Sequence, residues 1–166
     1  MRRLGAGALL ALALLAPVPA GAQAPLSLRF VMPERYTDAE NRWGSGLSLR
    51  VTLAEVERIF RDLVRRLPPG ETLAVEVLDI DLAGFERPGA GTGLRVVTDV
   101  SPPRFRLRYT LTRRGRAVLS AQETVSDISF LLRARTLSSA STLAYERDLL
   151  RGWFEDRILR RQPPPA

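Results

Sequence analysis

The sequence predicts an α+β fold: a two-layer sandwich in which a mostly antiparallel sheet of four to five strands carries two amphipathic helices on one face. Three observations lead there. Two stretches, from Thr52 and from Thr142, place apolar residues at helical spacing along one stripe only, so each needs a partner layer. Several other segments alternate apolar and polar residues at the period of a strand. Turn residues join the later strands closely enough for hairpins, which gives the order β-α-β-β-β-β-α.

The opening strand alternates Leu26, Leu28, Phe30 and Met32 with Ser27, Arg29 and Val31, and Pro33 stops it. A polar, irregular loop with Gly44 and Gly46 follows. Thr52 and Glu55 form a capping box at the head of the first helix, whose stripe is Leu53, Val56, Ile59, Phe60, Leu63 and Leu67. Pro68-Pro69-Gly70 ends that helix, and Glu71 to Gly84 reads as the central strand.

In the central strand the apolar phase slips between Leu73, Val75, Val77 and Leu78, Ile80, Leu82. Either the strand is buried on both faces near Val77 and Leu78, or a bulge there inserts one residue; a bulge or a strand end is favoured, because it turns Asp79 and Asp81 away from the core, where an unpaired carboxylate is costly. The loop FERPGAGTG lacks the lysine and hydroxyl residue of a phosphate-binding loop and is read as a linker. Leu94 to Val100 alternates as a strand, and so does Phe105 to Leu111 against Arg104, Arg106 and Arg108. Arg113 to Arg116 links it to a strand through Leu119, Ala121 and Val125, where Glu123 breaks the parity and awaits an arginine. Phe130 to Leu132 reads as a short helical turn. In the last helix Tyr145, Leu149, Leu150, Trp153, Phe154 and Ile158 share one face, with Arg151 and Glu155 paired outside it.

The first 22 residues combine Arg2 and Arg3, an apolar run from Leu4 to Leu15 and a small-residue end at Ala20-Gly21-Ala22. That is the pattern of a cleaved signal peptide, with an apolar run short of the roughly 20 residues of a membrane span. The expectation is therefore a periplasmic or secreted protein with no lipid anchor and no transmembrane segment after processing. Residues 23–162 form one domain and 163–166 a disordered tail. All 25 basic residues are arginine; the leader removes two, leaving 23 against 18 acids, a net charge of +5. Residues 101–166 hold 13 arginines against 6 acids, whereas 23–100 hold 10 against 12. A basic half invites anionic partners, but a chain without lysine fits biased codon usage better, which inflates arginine with no partner to read it.

Five stretches in this order resemble one bacterial family. They are Pro33 with Tyr36-Thr37-Asp38, LPPGETLAVEVLDIDLAG, RVVTDVSPPRFRLRYTL, the run from Asp127 to Phe130, and YERDLLRGWFEDRI. Together they resemble the family catalogued as domain of unknown function 3016, from about Phe30 to Ile158. The resemblance implies exported single-domain proteins with no assigned activity and no established catalytic residues.

Absent residue types narrow the chemistry. Without histidine, cysteine or lysine the chain has no histidine-based triad, no thiol chemistry, no ordinary zinc site and no Schiff base. Carboxylates and arginines remain. Asp79 and Asp81, about 6.6 Å apart along a strand, form with Asp99 the candidate acidic site. They serve either as strand-end anchors for turn amides and arginines or, alternatively, as a hard-metal or carboxylate-dependent glycan hydrolase site. A calcium loop starting at Asp79 fails, because its fifth and twelfth positions are Ala83 and Ala90.

Arg104, Arg106 and Arg108 form the candidate partner-binding row, a solvated face or one paired with Asp99 and Glu123. Nucleic acid is not expected, because Phe105 and Tyr109 point to the opposite face from the arginines and cannot stack bases beside them. The leading expectation is a non-enzymatic binding or assembly factor, with no cofactor and no metal, contacting an anionic envelope component or another envelope protein. A third possibility is a chaperone-like use of the edge made by the opening strand.

Overall fold

Alternation from Leu26 builds strand β1 (Leu26–Phe30) in the computed structural model, which describes residues 24–42, 47–87, 95–134 and 143–164. The expected signal peptide at 1–22, Gly44 and Gly46, the glycine loop from 88, Leu94, the expected helix start at Thr142 and the tail end at 165–166 lie outside the described residues. β1 ends as Met32 enters the left-handed region at φ 49°, and Pro33–Arg35 makes one 3-10 turn.

Helix α1 (Leu49–Val64) starts a turn earlier than the capping box predicts. Ser48 is its cap, accepting the Val51 amide at 3.4 Å. Thr52 lies inside the helix, fully buried and with its hydroxyl unpartnered, and Glu55 pairs with Arg58 and Arg147 instead. The misplaced start has a physical cause: Leu49 packs against the core, so the burial of one more turn favours extension over the Thr52 cap.

β2 (Glu71–Asp81) runs parallel to β1 and antiparallel to its other neighbour, with a register shift between Val77 and Asp79. The predicted bulge is there. Leu73, Val75 and Val77 are buried before it, and Ile80 and Leu82 after it. β3 (Phe85–Glu86) and β4 (Arg95–Val96) form a separate two-stranded ribbon. Of the strand expected over 94–100, only Arg95 and Val96 are in a strand among the described residues, which corrects the reading for 97–100. Thr98 and Ser101 close a turn through Ser101 N to Thr98 O at 3.2 Å, and those local bonds compete with a strand.

β5 (Arg104–Arg113) and β6 (Arg116–Ser126) form the predicted hairpin, and the sheet order is β1-β2-β5-β6. The hairpin connection is two residues, Arg114-Gly115, not four, with φ of 49° and 77°. That pair of left-handed residues matches the twist of the flanking strands. α2 (Phe130–Ala134) is the short helix anticipated near Phe130.

α3 (Ala144–Trp153) passes directly into a π-helical turn, Phe154–Leu159. The wider turn keeps Trp153, Phe154, Arg157 and Ile158 all directed at the sheet layer. The expected Arg151–Glu155 pair is replaced by Arg151 with Asp148 and Glu155 with Arg66. Both long helices cover one face of the sheet. Trp153 stands edge-on to Phe60 of α1 and Tyr109 of β5, with ring centroids 6.0 and 5.0 Å away, locking both layers together.

Glu123 has an inward role. On β6 it accepts the Tyr109 hydroxyl at 2.7 Å, the Trp153 indole at 3.2 Å and Arg157 Nε at 3.1 Å. It therefore does not pair with the arginine row on the outer face, as the sequence allowed. Its arginine comes from the π-helical turn.

Candidate functional site

Helices cover only one face of the sheet, so the other is polar and open among the described residues. Its middle rung crosses all four strands in register, Arg29–Glu76–Arg108–Gln122. Arg108 donates to Glu76 at 2.7 Å and to Gln122 at 3.1 Å, while Arg29 Nε donates to the other Glu76 oxygen at 3.1 Å. Arg29 first, then Arg108, holds the Glu76 carboxyl below the usual range. Opposite charges facing across strands are favourable at modest strength in water.

The next two rungs bring the candidate groups together. Arg106 lies opposite Asp79, and Arg104 lies opposite Asp81. Arg104 and Arg106 are exposed, and among the described residues neither has an ion pair within 4.0 Å. Of the predicted row, therefore, Arg108 is held in a salt bridge, while Arg104 and Arg106 make none among the described residues and Arg104 acts on Asp81 through its charge alone.

Asp79 is committed to a loop. Its two oxygens accept the Thr37 amide and the Thr37 hydroxyl, each at 2.8 Å. This sets the corner beyond β1, because Asp38 then pairs with β2 downstream of the bulge: Asp38 N bonds Ile80 O and Leu82 N bonds Asp38 O, both at 2.9 Å. Buried Tyr36 fills the gap between, donating to Val77 O at 2.8 Å.

Arg95 closes the corner from β4. It grips Asp38 with two nitrogens, at 2.5 and 3.2 Å, and donates to the carbonyls of Ala83 at 3.2 Å and Gly84 at 2.8 Å. Asp81 is half-buried beside this pair, and burial followed by the Asp38 charge raises its carboxyl above the ordinary value, against the pull of Arg104. Glu146, 3% exposed, reaches in from α3 to accept the Ala83 amide at 2.8 Å, and burial raises its carboxyl too.

Asp99 stays apart. It is exposed in the turn before β5, and among the described residues no hydrogen bond or ion pair joins it to Asp79, Asp81 or the arginine row. Among the described residues no three histidine, cysteine, aspartate or glutamate side chains are grouped to hold a metal ion. No helix among them is long and apolar enough to cross a membrane.

The corner makes alkaline pH destabilising. Burial pushes the Tyr36 phenol up to about 12 from 10.0, so the folded state keeps a proton that the unfolded chain releases. Its contribution is complete below pH 10 and is lost as pH rises through 12, about 2–3 kcal/mol in all. Urea unfolding from pH 9 to 12 should show falling stability, and Tyr36→Phe should make the decline shallower. Tyr109 supplies the remaining slope, since burial and its bond to Glu123 raise it as well.

Sequence reasoning placed Asp79, Asp81 and the three arginines but missed Thr37, which holds Asp79, Glu76, which holds Arg108, and Asp38, Arg95 and Glu146, which build the corner beside Asp81. One signal was present for Glu146: with Leu143 and Leu150 it lies on the buried stripe of α3, where an unpaired acid is costly. Residues 24–156 match the family described as Protein of unknown function (DUF3016). No curated protein and no solved structure matches the chain.

Proposed function

The chain belongs to the DUF3016 family of proteins of unknown function, and for this member we propose an exported, non-enzymatic binding protein of the cell envelope. Its open sheet face contacts an anionic envelope component, with Arg104 and Arg106 as the primary contacts and Arg108 held upright beside them by Glu76. The observation that carries this reading is the pair of exposed guanidinium groups on β5, on a face that no described element covers and with no ion pair among the described residues. Export rests on the leader pattern of residues 1–22. The hydrolase alternative is weaker because both Asp79 oxygens already accept bonds from Thr37.

The test is co-sedimentation of the purified protein with cell-wall glycan carrying free carboxylates, over a salt series. The double variant Arg104→Gln/Arg106→Gln should bind roughly tenfold more weakly than the parent, and salt should weaken the parent more than the variant. Equal binding by both proteins, unaffected by salt, would remove the basis for the proposal.

A further inference from the structure

The hairpin end of the sheet gathers cationic side chains from segments far apart in sequence. Arg66 follows α1, Arg113, Arg114 and Arg116 flank the β5–β6 turn, and Arg160 and Arg161 follow the π-helical turn. Contacts tie these segments together. Buried Glu71 accepts from both Arg113, at 2.7 Å, and Arg161, at 2.6 Å. Arg114 N bonds Gly70 O at 3.0 Å, and Arg66 meets Glu155 at 2.9 Å. Arg114 and Arg116, at the tip, are exposed and have no ion pair among the described residues.

Arg114 is an odd residue to find there. Its φ of 49° is the left-handed conformation that the first position of such a two-residue turn demands, where asparagine or glycine fits with less strain. Nothing in the fold requires an arginine, and a strained position without a folding role points to function. Beside it, the register shift between Leu111 and Thr112 leaves Val118 as the extra residue on β6, 47% exposed. The tip thus offers guanidinium groups and an apolar side chain together.

We propose that this end docks on a bilayer surface bearing anionic lipid headgroups. Four of its arginines are paired with Glu71, Glu155 and Asp156, and the two that have no ion pair among the described residues, Arg114 and Arg116, stand exposed at the turn, where their charge complements an anionic bilayer. Phe60 and Phe154, the aromatics nearest in sequence to Arg66 and Arg160, are both fully buried, so neither offers a shelf for nucleic-acid bases. The surface is distinct from the sheet face that carries Arg104 and Arg106, so the two proposals stand or fall separately.

Vesicle flotation tests it, with the purified protein and vesicles of phosphatidylcholine alone or mixed with phosphatidylglycerol. Binding is expected only to the mixed vesicles and should weaken with salt. Arg114→Asn/Arg116→Thr keeps an Asn-Gly turn, so thermal unfolding should confirm an intact fold. At about fivefold per arginine near an anionic membrane, this variant should lose roughly 25-fold in partition. Arg35→Gln/Arg50→Gln, at two exposed arginines outside the hairpin end and outside the sheet face, should float like the parent. Equal flotation of parent and hairpin variant, equal binding to both vesicle types, binding to neither, or an equal loss in the Arg35/Arg50 variant would each overturn the proposal. So would binding to a soluble polyanion such as heparin or DNA without binding to vesicles.

Discussion

Gly84→Ala is expected to cost about 2–5 kcal/mol of stability, from a left-handed backbone combined with overpacking. Gly84 has a φ of 76°, and a Cβ there would lie 2.4 Å from the carbonyl oxygen of Val96. Backbone on β4 cannot move away cheaply, because Arg95 is fixed to Asp38 and to the carbonyls of Ala83 and Gly84. The strain should therefore spread to the whole corner that orders Thr37 and Asp79. Gly152→Ala is the informative control. A Cβ there meets nothing within 4 Å and the site is helical, so a gain of about 0.5–1 kcal/mol is expected. Urea midpoints that fall together for the two variants would refute the account of Gly84.

Glu123→Ala should be as damaging, at about 3–5 kcal/mol, because removing one partner of a buried pair strands the other. Its carboxylate is 8% exposed and Arg157 is 16% exposed, while Tyr109 and Trp153 also donate to it. Three donors would lose their acceptor at once. Glu123→Gln keeps an acceptor and the volume, so it should recover most of the loss. If alanine and glutamine prove equally harmful in chemical denaturation, the charge itself is what matters and the shared-acceptor explanation fails.

Legibility followed the range of the interactions. The bulge in β2 was readable because it is local: an apolar phase slip between Val77 and Ile80 has few other causes. Both long helices and the β5–β6 hairpin were readable from periodicity for the same reason. The cap at Thr52 misled because a good local motif was outweighed by the packing of Leu49, a tertiary effect. The strand over 94–100 misled because Thr98 and Ser101 bond each other, so that among the described residues of that stretch only Arg95 and Val96 pair.

The site was legible as residues but not as partners. Thr37 finds Asp79 from 42 positions away, and Arg95 reaches Asp38 from 57. Periodicity within a segment says nothing about such pairs. Glu123 was visible as a parity break needing a cation, yet its arginine lay on a π-helical turn that no sequence period announces.

The length of β2 keeps two groups of arginines electrically apart. Arg104 and Arg106 stand opposite Asp81 and Asp79 at one end of this 11-residue strand, and Arg113 and Arg161 meet Glu71 at the other. That length is about 33 Å, roughly four screening lengths at physiological salt. A charge removed at one end is therefore scarcely felt at the other, so the losses of variants made at the two ends should simply add in free energy.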